Sequence, residues 1–128
     1  MKFAMQYGAF EIESMPGQPQ VAICHSFFVP ETLRGRGLAH ALKQDQIRVL
    51  IDQHYDFAIC TVAASNVRQI SVLKRAGWSP IVTGFQNSRI GGHTLIFGFD
   101  VSAVRDPLTA SIPAYEIQDG PASTVRSQ

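Results

Sequence analysis

Apolar and polar positions alternate loosely from Phe3 to Ile12, and a dense run of turn residues, Ser14-Met15-Pro16-Gly17-Gln18-Pro19, follows. The pattern predicts strand, turn, strand. The second strand, Val21-Ala22-Ile23-Cys24-His25-Ser26-Phe27-Phe28-Val29, is apolar on both faces until Pro30 stops the ladder, as a central strand should be. Leu38, Ala41, Leu42 and Val49 then recur at helical spacing. They predict a helix from Leu38 to about His54, with Lys43, Gln44 and Arg48 on its solvated surface. Phe57–Ala63 is a further β-type run, and the order strand, helix, strand implies a parallel pair joined by a right-handed crossover.

Ser65-Asn66 offers a helix cap, Val67, Ile70 and Leu73 follow at helical spacing, Lys74-Arg75 fall in the last turn, and Gly77 terminates. Pro80–Phe85 and Thr94–Phe99, around Gly91-Gly92, read as an antiparallel hairpin at the sheet edge. The expected fold is therefore α/β, with a mixed central sheet, two main helices and a C-terminal β-hairpin. Residues 1–102 form the domain. After Val101 the chain turns rich in Pro, Ser, Thr and Ala, and residues 103–128 should be a loosely structured tail with Ile112, Tyr115 and Ile117 as its anchors, ordered by a partner subunit or a second copy.

Composition narrows the function classes. At 128 residues with 45% hydrophobic positions, one core is affordable. A net charge of +1 gives no broad basic field, so nucleic acid is not an expected partner. No stretch approaches the ~20 apolar residues of a membrane span, and the N-terminus has no signal-peptide pattern, which points to the cytoplasm. Cys24 and Cys60 lie in apolar runs without ligands at metal spacing, so free buried thiols are expected and no metal.

The local chemistry concentrates at Arg34-Gly35-Arg36-Gly37-Leu38-Ala39, on a strand-to-helix junction. Two glycines let the backbone approach an anion, and the helix N-terminus favours negative charge, so phosphate is the natural guest. No Gly-Lys-Ser/Thr follows, which argues against a Walker-type loop. Trp78 and the phenylalanines read as core, and His40, His54 and His93 as surface or loop residues.

This loop and the segment Asn66–Trp78 together resemble the GNAT superfamily of acyl-CoA-dependent N-acetyltransferases. The family's pyrophosphate loop, Gln/Arg-x-x-Gly-x-Gly/Ala, is matched by Arg34–Ala39, and its second element, an Asn opening a short helix that closes on Lys/Arg-x-Gly-aromatic, by Asn66 and Arg75-Ala76-Gly77-Trp78. Across Val21–Phe99 the resemblance implies a bulge near Phe27–Val29 that splays the central strand from Phe57–Ala63. Acetyl-CoA would lie there, with pantetheine on the backbone of Phe27, Phe28 and Val29, pyrophosphate on the amides of Arg34, Gly35, Arg36, Gly37, Leu38 and Ala39, and Asn66 in contact with it. His25 falls near the family's usual base position and competes with the plainer reading of a hydrogen-bonded strand histidine. Leu73 stands where many members carry the Tyr that protonates the thiolate, leaving Ser71 or water as the acid. The helices that usually precede the hairpin are missing.

Two readings follow. One is an N-acetyltransferase that moves an acetyl group from acetyl-CoA to an amine by direct attack, the open acceptor side suiting a macromolecular acceptor or a site completed by a second subunit. The other is a catalytically inactive GNAT-fold binding or structural module within an assembly such as a viral particle, which would move the location from cytoplasm to virion.

Overall fold

The computed structural model describes residues 1–105, 114–119 and 122–126. Its sheet has eight strands: β1 (Lys2–Met5), β2 (Gly8–Met15), β3 (Gln18–Phe28), β4 (Phe57–Ala63), β5 (Ser79–Asn87), β6 (Gly92–Asp100), β7 (Tyr115–Asp119) and β8 (Ala122–Arg126). The spatial order is β5-β6-β4-β3-β2-β1-β7-β8. Among the described strands only β3 and β4 run parallel, joined through α1 (Leu38–Asp52) as the periodicity predicts. The second helix, α2 (Val67–Arg75), follows β4, and β5 and β6 form the expected hairpin. The fold is the anticipated mixed α/β sheet with two helices.

One strand boundary differs. The run Phe3–Ile12 is two strands, because the chain reverses at Gln6-Tyr7 and pairs Met5 with Gly8. Neither turn residue is a strong turn former; the signal is Gly8. A Cβ there would lie 2.1 Å from the Phe28 carbonyl oxygen and 2.8 Å from Leu42, so only glycine lets β2 approach β3 this closely.

The helices bury one face of the sheet. Phe10 and Ile12 on β2, Ala22 and Cys24 on β3, Ala58, Cys60 and Val62 on β4 and Phe97 and Phe99 on β6 form a single core with Leu42, Val49 and Leu50 of α1 and Leu73 of α2. Trp78 joins it, 2% exposed. Beyond α2, Tyr115 and Ile117 are buried, Phe3 pairs with Ile117, and the Phe3 ring meets the Tyr115 ring edge-on at 5.5 Å. Ile112, the third anchor named from sequence, lies outside the described residues. Among the described residues no helix is long and apolar enough to cross a membrane.

Candidate functional site

Alternation along β3 puts Cys24 against the helices and Ile23 and His25 on the open face. The alternation breaks at Ser26, which takes a left-handed φ of 56°, where β3 has one residue more than β2 between the pairs Glu11–His25 and Ala9–Phe28. On its other side β3 leaves β4. The parallel pairing runs only from Val21–Phe57 to Ile23–Ile59, although both strands continue. The splay is therefore built from a bulge on one edge and a lost ladder on the other. Its bulge falls at Ser26, one step before the expected span. The Phe28 carbonyl sits against Gly8 and is therefore turned toward β2, away from the splay.

After a 3-10 turn at Glu31–Leu33, Gly35 and Gly37 adopt φ of 81° and 72°. These left-handed values call for glycine, and a Cβ at either would meet nothing within 4 Å, so their backbone is open. Gly37 caps α1 with no side-chain hydrogen bond and no acidic residue in the first turn, leaving a bare helix N-terminus of the kind that binds anions. The adjoining groove holds about 1010 Å³. One wall is Phe27, Phe28, Val29, Arg34, Gly35, Gly37, Leu38 and Ala39; the other is α2 and its cap, including Asn66 and Ser71. The His40 Nδ1, buried and without a hydrogen-bond partner, also lies at this wall.

Two loop arginines behave differently from a simple phosphate clamp. Arg34 folds back, donating from Nε to the Val29 carbonyl at 2.9 Å with its guanidinium 5.6 Å from the Phe28 ring centre, and Arg36 is exposed and outside the groove lining. The cations that sequence reasoning missed are Arg68 and Arg75 on the facing wall. Their signal was present: Arg68, Ser71, Val72 and Arg75 stand at i, i+3, i+4 and i+7 and share one helix face. Asn66 accepts from the Gln69 N–H at 3.2 Å, so its Oδ1 caps α2.

A second cavity, about 340 Å³, lies in the splay itself and shares Phe27, Asn66 and Gln69 with the groove. His25 and Thr61 line it from the open face; Lys43, Gln46 and Leu73 line it from the helix side. His25 Nδ1 is 3.1 Å from Ser26 Oγ and 3.9 Å from Glu11 Oε2, which gives the imidazole a carboxylate neighbour. Ligating atoms of Glu11, Glu13 and His25 all lie within 4.8 Å of one another, and Glu13 is held by the Met1 amine at 2.5 Å. Ser71 belongs to the groove and not to this cavity, so the two catalytic candidates are not brought to one wall.

Lys43 corrects the sequence reading most sharply. Expected on the surface, it is 2% exposed, its Nζ lying 4.7 Å from the Phe27 ring centre and 4.5 Å from that of Trp78. Gln46, one turn on, is fully buried with neither amide atom hydrogen-bonded. Burial lowers the Lys43 pKa, opposed by its attraction to Cys60 and Cys24, and burial pushes the Cys24 thiol up to about 12 and raises Cys60. Both cysteines are free and buried, and Cys24 is a poor nucleophile at neutral pH.

No protein-family profile matches the chain, and no curated protein matches its sequence. Solved structures do. A Bacillus subtilis acetyltransferase in complex with CoA is 16% identical, with a TM-score of 0.61 over 73% of this chain and 68% of that one. The ribosomal-protein-S18-alanine N-acetyltransferase of Escherichia coli is 17% identical (TM-score 0.61, 80% and 66% covered), and a GCN5-related N-acetyltransferase from Kribbella flavida 25% identical (0.61, 73% and 60%). The chain thus has the GNAT fold and spans about two thirds of the length of these proteins.

Proposed function

We propose that this chain binds an acyl-CoA and transfers its acyl group, acetyl in the simplest case, to an amine. The observation that carries the reading is the continuous path from the bare N-terminus of α1, along the arginine-flanked groove, into the splay between β3 and β4. The residues fit the donor. Amides of Gly35–Ala39 suit the pyrophosphate, Arg68 and Arg75 face it across the groove, and main-chain groups of Phe27 and Val29 suit the pantetheine amides. Bound there, the thioester supplies an acyl carbon open to attack, with the CoA thiolate as leaving group.

His25, on the open face beside the splay and backed by Glu11, takes the proton of the incoming amine. A main-chain N–H of Phe27 or Val29 meets the negative charge that develops on the thioester oxygen. Leu73 is fully buried and apolar, so α2 offers no hydroxyl at the splay, and the thiolate receives its proton from water or from Ser71 along the groove. The same burial of Leu73 favours, as a second reading, a module that holds CoA without turnover inside a larger assembly.

Free-thiol release from acetyl-CoA, followed with a cell extract supplying acceptor amines, separates the two. Amine-dependent release that falls at least ~10-fold in His25→Ala, with CoA affinity kept, supports transfer. CoA binding without any release supports the module.

A further inference from the structure

A buried cation normally has a counter-charge, and a buried amide normally has partners. Among the described residues Lys43 and Gln46 have neither. Among the described residues Lys43 forms no ion pair; it is flanked by the Phe27 and Trp78 rings, which stabilise a cation but supply no anion. Both side chains border the splay cavity. The pairing of β3 and β4 stops at Ile23 and Ile59, so Cys24 and Cys60 line the vertex of the splay, and Lys43 Nζ lies on the helix side of the cavity against the Phe27 and Trp78 rings.

The cavity's mouth, shared with the groove, is at Phe27. Lys43 Nζ, 4.7 Å from the Phe27 ring centre, therefore stands just inside that mouth. An acetyl group carries no charge to meet the ammonium there. A longer acyl chain ending in an anion would meet it, on a wall that holds a cation and an unpartnered amide where a simple alkyl pocket would hold only apolar groups.

We propose that the splay selects acyl groups ending in a carboxylate, those of short dicarboxylic thioesters such as succinyl-CoA, with Lys43 as the counter-ion and the Gln46 amide as a hydrogen-bond donor. The inference rests on the acyl-CoA reading and names its donor class. The carboxylate gives the Lys43 ammonium a counter-charge and the Gln46 Nε2 an acceptor, and the thioester end remains at the strand edge where the amine attacks.

Calorimetric titration of the full chain with CoA, acetyl-CoA, succinyl-CoA and free succinate tests it, in the wild type and in Lys43→Met and Gln46→Leu. Succinyl-CoA should bind the wild type about tenfold or more tighter than acetyl-CoA, as one charge-assisted contact gives. The preference should vanish in Lys43→Met and shrink in Gln46→Leu, with the affinity for CoA itself retained as proof of folding. Equal binding of succinyl-CoA and acetyl-CoA by the wild type overturns the proposal while leaving the acyl-CoA reading intact, and so does binding of free succinate without a gain for its thioester. Absence of binding by all three CoA species overturns the acyl-CoA reading and this inference with it.

Discussion

Lys43 is the residue on which most of the site's energetics turn. An ammonium removed from water costs several kcal/mol unless compensated, and two aromatic faces recover only part of that. Replacing it with methionine should therefore raise stability by about 1–2 kcal/mol in urea unfolding while removing the splay's only buried cation among the described residues. The pH dependence follows from the lowered pKa. Between that lowered value and 10.5 the unfolded chain binds a proton that the native protein does not, so wild-type stability climbs with pH across this window. Cys24 acts oppositely: the unfolded thiol ionises near 9.0 and the native one only near 12, so its contribution is lost as pH rises above about 9. Lys43→Met should lose the climb and keep the fall, which unfolding curves at a series of pH values will show. The buried position was legible in part. Lys43, Gln46, Ile47 and Leu50 stand at i, i+3, i+4 and i+7, a full helical stripe, but two of its four members are polar and the apolar stripe through Leu42 and Val49 outweighs them.

At the scale of elements, short-range chemistry decides what can be read. The ends of α2 were readable because its cap is local: Asn66 bonds the Gln69 N–H, and Lys74 and Arg75 sit in the last turn. Asn66→Ala should cost about 1 kcal/mol of stability by denaturant unfolding, and loss of order at the start of α2 should weaken CoA binding with it. The start of α1 was readable for the same reason, since Gly35-Arg36-Gly37 admits the left-handed backbone that the loop adopts. The β1–β2 reversal was not, because Gln6-Tyr7 carries no turn signature and Gly8 is required by the Phe28 carbonyl, twenty residues away in sequence. Loop arginines misled in the same way. Arg34 is spent on the end of β3, whereas the groove's facing cations come from α2.

For the whole molecule, the sheet order is the least legible feature, since it depends on pairings between distant segments. β1 sits between β2 and β7, with Phe3 stacked on Phe10 and edge-on to Tyr115. Ile117→Ala should cost about 2–4 kcal/mol, read as a lower urea midpoint, because it empties a site beside Phe3 at the far end of the sheet. CoA affinity should be unchanged, the site lying across β2 and β3 from that edge. What positions the function is the other half of the sheet, where one parallel pair comes apart between two helices.

Titration of CoA against the wild type and Gly37→Glu tests that arrangement most directly. Gly37 holds the left-handed cap of α1, and a glutamate there places a negative charge at the proposed pyrophosphate site, with strain of about 1–2 kcal/mol that a urea control will register. Saturable binding of one CoA by the wild type, lost in Gly37→Glu while the variant stays folded, is the predicted result. No binding by the wild type, or equal binding by both proteins, would contradict the account.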